Sequence, residues 1–206
     1  MATVISFISR KGGTGKTTNA IHTATALHEN NYRVLLIETD QNYTLSTLRK
    51  MEVFKQPKPF EEPFRIMGSD DSRIADEIHT LRSKKEYDFI IVDSAGKTTD
   101  SHIRQLCLES DVVVVPTGLT QNDLLVAYQT IEDLKAARQL KNTLRIVVLP
   151  NRLHGRTNID TIRKKLENLD AEILDVFVPA KNSYAEYSTL KTSEDYFQVV
   201  RKMINI

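Results

Sequence analysis

Lys11-Gly12-Gly13-Thr14-Gly15-Lys16-Thr17-Thr18 decides how the rest of this chain is read. The stretch follows a largely apolar run, residues 4–8, and leads into a helical pattern over residues 19–28. The order implied is strand, glycine-rich loop, helix. Glycines let the backbone curl until its N–H groups point inward, and a phosphate fits such a nest. The positive end of the following helix adds to the attraction. Lys16 supplies a cation for the outer phosphates, and the Thr17 hydroxyl can ligate Mg²⁺. The competing reading is a glycine turn that joins strand to helix and binds nothing. The Gly-Lys-Thr-Thr ending and its strand–helix setting speak against it.

The 206 residues fit one domain with a large core. Hydrophobic content of 40% and charged content of 27% exclude a disordered chain and suit a soluble globular one. Formal net charge is +1, so affinity for nucleic acid must come from a local basic patch. Cys107 is the single cysteine, which excludes an internal disulfide framework and fits a reducing cytoplasm. No apolar run is long enough to cross a bilayer. The chain opens at once on a core strand, so neither a signal peptide nor an extra N-terminal domain is expected. Internal repeats and low-complexity tracts are absent from the sequence. The five histidines show no metal-ligand spacing.

Strand and helix patterns alternate, which predicts a parallel sheet with helices on both faces. Strands are expected at residues 4–9, 34–38, 64–67, 89–92, 112–115, 144–149 and 173–178. The 112–115 run is the most apolar and should be central. Helices are expected to follow the loop and at 44–51, 101–108, 121–140, 157–168 and 194–204. A further helix, capped by Asp70 or Asp71, should carry Ile74, Ile78 and Leu81 inward. Inward stripes are expected at Ala20, Ala24 and Leu27, and at Leu124, Tyr128, Ile131 and Leu134. In the last helix, Phe197, Val200, Met203 and Ile204 should dock on the sheet; a membrane-surface role is the alternative. Prolines 57, 59 and 63 mark a loop, and residues 52–63 suggest no function.

Ligands of a parallel α/β sheet bind beyond the carboxyl ends of its strands. The phosphate loop, Glu38-Thr39-Asp40-Gln41 and Asp93-Ser94-Ala95-Gly96 should therefore share one edge. Asp93 ends a run of four apolar residues, a placement from which aspartate can hold Mg²⁺. A turn or helix-cap aspartate is the alternative.

The loop departs from G-x-x-x-x-G-K-[ST] at its first position, where Arg10 stands for glycine and an extra lysine, Lys11, follows. In this it resembles the "deviant" phosphate loop, K-G-G-x-G-K-[ST], of the ParA/MinD group of ATPases. The resemblance covers nearly the whole chain. Pro116 and the Asp123-Leu124 helix start look like family segments, as does Val178-Pro179-Ala180-Lys181 with Tyr184-Ala185-Glu186. It implies a single α/β domain over 1–206 that binds ATP or ADP through Lys11, Gly12, Gly13, Thr14, Gly15, Lys16, Thr17 and Thr18. It implies Mg²⁺ at Thr17, Asp40 and Asp93.

In the family the early lysine crosses a dimer interface to the partner's ATP, which implies that role for Lys11. Asp40 matches the second acid of D-x-D-P-Q, which orients the attacking water. Here Glu38 replaces the first aspartate, and no proline follows Asp40. A simple cap on the 44–51 helix is the alternative for Asp40. Family adenine borders point to Pro150, Asn151, Arg152 and Pro179. Members bind DNA without sequence preference through late basic helices, here Arg163, Lys164, Lys165, Arg201 and Lys202, with Arg152 and Arg156. A solvated helix face is the alternative, and Glu167, Glu172 and Glu194 dilute the patch.

The function this implies is a Mg²⁺-dependent, partner-stimulated ATPase with Lys11, Lys16 and Asp40 as its catalytic residues. It would form an ATP-sandwich homodimer, bind nucleoid DNA in the cytoplasm, and segregate a plasmid or mobile element with a centromere-binding adaptor. A protein cargo or a MinD-like membrane switch is the alternative. A metabolite ligase of dethiobiotin-synthetase type is a further one. A cluster-bearing iron protein would need paired cysteines.

Overall fold

The computed structural model describes residues 1–96, 99–192 and 196–205. Its elements are β1 (Thr3–Phe7), α1 (Lys16–Glu29), β2 (Val34–Glu38), α2 (Thr44–Phe54), β3 (Arg65–Gly68) and α3 (Ile74–Lys84). Next come β4 (Phe89–Asp93), α4 (Asp100–Glu109), β5 (Val112–Thr117), α5 (Gln121–Leu140) and β6 (Arg145–Leu153). The chain continues through α6 (Ile159–Leu166), β7 (Glu172–Ile173), β8 (Val178–Pro179), α7 (Asn182–Ala185) and α8 (Tyr196–Ile204).

The strands form one parallel sheet in the order β3-β2-β4-β1-β5-β6-β7, with β8 also on β6. A parallel sheet needs cover on both faces, and residue parity supplies it. Val4, Ile8, Leu35, Ile37, Ile90 and Val92 face one side, under α3, α4, α5 and α6. Ile5, Phe7, Leu36, Ile91 and Val114 face the other, under α1, α2 and α8. Cys107 is buried on the first side.

The expected order of elements holds, and the differences have local causes. The 173–178 strand is two short pieces: β7 pairs with β6 at Val147 and Val148, and β8 pairs with it further along, with a register break between Asn151 and Leu153. Arg152 sits in the break at φ 56, a left-handed conformation that interrupts a ladder. α6 starts late, at Ile159, because the Asn158 side chain caps it by accepting from Asp160 N at 2.7 Å. Asp70 does not cap α3. It accepts from Ser72 N and Arg73 N one turn earlier, at 3.0 and 3.1 Å. Ile131 and Leu134 of the α5 stripe are buried as expected, but Tyr128 is 49% exposed and Ala127 is buried in its place. In α8, Val199, Val200 and Met203 are buried, while Phe197 and Ile204 are half-buried. The start expected for that helix, Glu194, lies outside the described residues.

Candidate functional site

The carboxyl ends of β1, β2 and β4 open into one cleft of about 1320 Å³, lined by Gly12, Lys16, Thr17, Asp40, Asp71 and Gly96 among others. This is where parallel-sheet topology puts a ligand. Gly13 and Gly15 take φ of 78° and 99°, which a side chain would resist. A Cβ at Gly15 would also stand 2.2 Å from Asn151 Nδ2. Arg10 needs no such freedom, and its side chain turns outward. It hydrogen-bonds Asp133 of α5 and reaches Asp100 of α4 at 3.3 Å. A glycine is therefore not required at this first position.

Lys16 is buried, and its Nζ donates to Lys11 O at 3.4 Å. Burial lowers its pKa, while Asp93 and Asp40 raise it. Asp93 is buried opposite, and loss of solvent pushes its carboxyl up to about 7, against the pull of the Thr17 hydroxyl and Lys16. Among the described residues its Oδ1 has no hydrogen-bond partner. A buried oxygen donor left open beside a threonine hydroxyl fits a hard divalent cation. Among the described residues no cluster of three or more His, Cys, Asp or Glu could cage a metal. A cation held here would take its other ligands from phosphate and water.

Asp40 is half-buried at the mouth of the cleft, and its Oδ1 accepts from Asn42 N at 3.0 Å. It does not cap α2. Glu38 does, one methylene longer than an aspartate: its carboxylate accepts from Leu45 N and Ser46 N, each at 2.9 Å, and from the Ser46 hydroxyl. Thr39 ties three loops together. Its Oγ1 donates to Asp71 at 2.7 Å and accepts from Ala95 N at 2.9 Å, and its own N–H reaches Asp93 O at 3.1 Å. Local sequence gave no sign of these Glu38 and Thr39 roles.

Lys11 Nζ lies 3.7 Å from Asp123 Oδ1 at the start of α5 in its own chain. Asn151 and Arg152 reach the back of the loop: Asn151 Nδ2 donates to Thr14 O at 2.7 Å, and Arg152 Nη1 to Gly13 O at 2.6 Å. Pro179 pairs with Leu153 behind them. The basic residues do not form one patch. Arg163, Lys164 and Lys165 are exposed on α6, over one sheet face. Arg201 and Lys202 belong to α8 on the opposite face, where Lys202 pairs with Asp175 at 3.0 Å.

The pattern of the CobQ/CobB/MinD/ParA nucleotide binding domain family matches residues 5–191. The chain belongs to this family. Protein virC1 of Rhizobium radiobacter is 24% identical over 140 residues, 66% of this chain and 59% of that protein. The chain thus matches under two thirds of that relative's length. The maintenance of carboxysome distribution protein A of Halothiobacillus neapolitanus is 26% identical over 176 residues, 84% of this chain and 78% of that one. The fold is that of a plasmid partition protein from Borrelia burgdorferi, with a TM-score of 0.66 at 19% identity over 99% of this chain and 96% of that chain. Among the described residues no helix is long and apolar enough to cross a membrane.

Proposed function

We propose that this chain is a ParA-type partition ATPase that binds and slowly hydrolyses ATP. The observation that carries the proposal is the stretch from Lys11 to Thr18, curled at Gly13 and Gly15 into the start of α1, with lysines at 11 and 16. Gly12, Gly13, Thr14, Gly15 and Thr18 belong to the nest for the phosphates, and Lys16 neutralises the outer ones. Thr17 and Asp93 hold Mg²⁺, with Asp40 bordering it. Asp40 aligns the attacking water, a role its half-buried place at the mouth supports. Phosphoryl transfer asks for positioning and charge neutralisation.

Lys11 leaves Asp123 to reach the nucleotide of a second copy, so ATP makes a homodimer. That dimer binds DNA through phosphate contacts, works with an adaptor protein, and segregates a plasmid or mobile element in the cytoplasm. The match to a plasmid partition fold supports this cargo. A protein cargo is the second reading, favoured by the longer alignment with the carboxysome relative.

The test is retention of random-sequence DNA with Mg·ATP against Mg·ADP. Retention with ATP alone is expected, falling steeply with salt. Since Lys202 is already paired, the α6 lysines are the better contacts. Lys164→Glu with Lys165→Glu should weaken retention at least about tenfold and flatten the salt slope by about 2. Equal retention with ADP, or an unaffected double variant, would contradict the reading.

A further inference from the structure

We propose that the end of β3 and the loop after it are the platform that aims Asp40, holding the residue before it through Asp71 and the turn after it through Gly68. The inference rests on the reading of Asp40 as the residue that aligns water. Asp40 opens a tight turn: its Oδ1 accepts from Asn42 N and its carbonyl from Tyr43 N, each at 3.0 Å. Those bonds set the shape of the turn but not its direction, since a turn can pivot as a unit on its two ends. Here both ends are docked. On the near side, the Thr39 hydroxyl has one proton to give. Ala95 N can only donate to it, at 2.9 Å, so that proton goes to the Asp71 carboxylate, at 2.7 Å. On the far side, Tyr43 stands at φ 44 and ψ 50, a left-handed conformation that an aromatic residue keeps only where its surroundings impose it. A Cβ on Gly68 would stand 2.5 Å from Cε1 and 2.9 Å from Cδ1 of the Tyr43 ring. The ring therefore occupies the place of the side chain that Gly68 lacks.

A platform must itself be fixed, and this one is, although β3 is the edge strand of the sheet. Gly68 is in register with Glu38, and the ladder runs one residue further, with Ser69 N donating to Glu38 O at 2.9 Å. Ser69 is buried, and its hydroxyl donates to Glu77 of α3 at 2.6 Å. Asp70 closes the next turn by accepting from Ser72 N and Arg73 N. Asp71 comes 32 residues after Thr39 and reaches it through strand pairing. It lines the same cleft as Asp40, but its carboxylate is engaged by Thr39. An arrangement that spends a strained tyrosine and a buried hydroxyl on either side of one exposed turn is placed for the carboxylate in that turn.

The test uses Asp71→Ala, which severs the first anchor, and Tyr43→Asn, which severs the second with a residue tolerant of left-handed backbone. Asp71 is half-buried and Tyr43 is 39% exposed, so folding survives both. Turnover of Mg·ATP by the protein alone is measured with the affinity for Mg·ADP. Each variant should lose about tenfold in turnover, as a displaced reacting group does, and bind Mg·ADP within about twofold of the parent. The diphosphate belongs to the Lys11-to-Thr18 stretch, which neither change touches. Asp71→Asn, which keeps an acceptor, and Tyr43→Phe, which keeps the ring, should recover most of the loss. On an Asp40→Ala background neither change should lower the residual turnover further, because both act through that carboxylate. Parent turnover in both variants, a parallel loss of ADP affinity, or a further full loss on the Asp40→Ala background would overturn the proposal. An Asp40→Ala variant that turns over as the parent does would defeat the reading of Asp40 itself, a separate outcome.

Discussion

Lys16→Ala should bind Mg·ATP at least about 100-fold more weakly than the parent, by titration calorimetry, and should no longer be stabilised by it. Charge-assisted hydrogen bonds to a phosphate are worth about 3 kcal/mol, which is that factor. The loss should not come from unfolding. Lys16 is a buried ammonium whose ordinary pKa is lowered by burial, so the apo protein carries a desolvation cost there that alanine removes. Among the described residues it makes one hydrogen bond, to Lys11 O, and that is long at 3.4 Å. Without nucleotide, parent and variant should therefore melt within a few degrees of each other. With saturating Mg·ATP only the parent's melting temperature should rise, as binding to the native state requires. A variant that still gains stability from ATP would mean the anion sits elsewhere.

Arg49→Met should destabilise the protein more than any surface change, by about 3 kcal/mol, with a fall in melting temperature of roughly 6–12 °C for a chain of this size. Arg49 is 3% exposed. Its guanidinium donates to Thr189 Oγ1 at 2.8 Å, Thr189 O and Phe64 O at 2.7 Å each, and Glu62 at 3.1 Å. It also lies over the Phe64 ring, 4.6 Å from its centre. Glu52 closes the network by accepting from Thr189 N at 2.8 Å. Methionine keeps much of the volume but none of the donors, so buried carbonyls of Thr189 and Phe64 lose their partners. Residues 62–64 and 188–190 are thus sewn to α2. A change in melting temperature below about 2 °C would show that these contacts are not what anchors them.

The sequence made the sheet and the loop readable because both depend on local pattern. Continuous apolar runs such as 112–115 have one stable place, the middle of a parallel sheet. Gly13 and Gly15 take backbone angles that other residues resist, so their spacing carries meaning in one dimension. The contacts that stay hidden in the sequence are those in which a side chain acts far along the chain or across it. Glu38 reads as a stand-in for an active-site aspartate, yet its extra methylene folds it back onto α2, and nothing in the neighbouring letters marks that. Asn151 and Arg152 meet the loop through strand order alone. The basic residues of α6 and α8 look alike in sequence, but β-α crossovers set the two helices on opposite sheet faces. Residues 173–178 read as one strand in sequence, yet in space the two ends pair with β6 separately, at Val148 and at Asn151.

Nucleotide charge gathered by a curled loop and two lysines, one lent to a second copy, is the centre of this account. Its most direct measurement is the sedimentation mass of the parent and of Lys11→Ala with Mg²⁺ and a non-hydrolysable ATP analogue. The parent should double its mass with the analogue and not with ADP, while Lys11→Ala should bind the analogue and stay a monomer. A parent that remains monomeric, or a Lys11→Ala variant that pairs as the parent does, would contradict it.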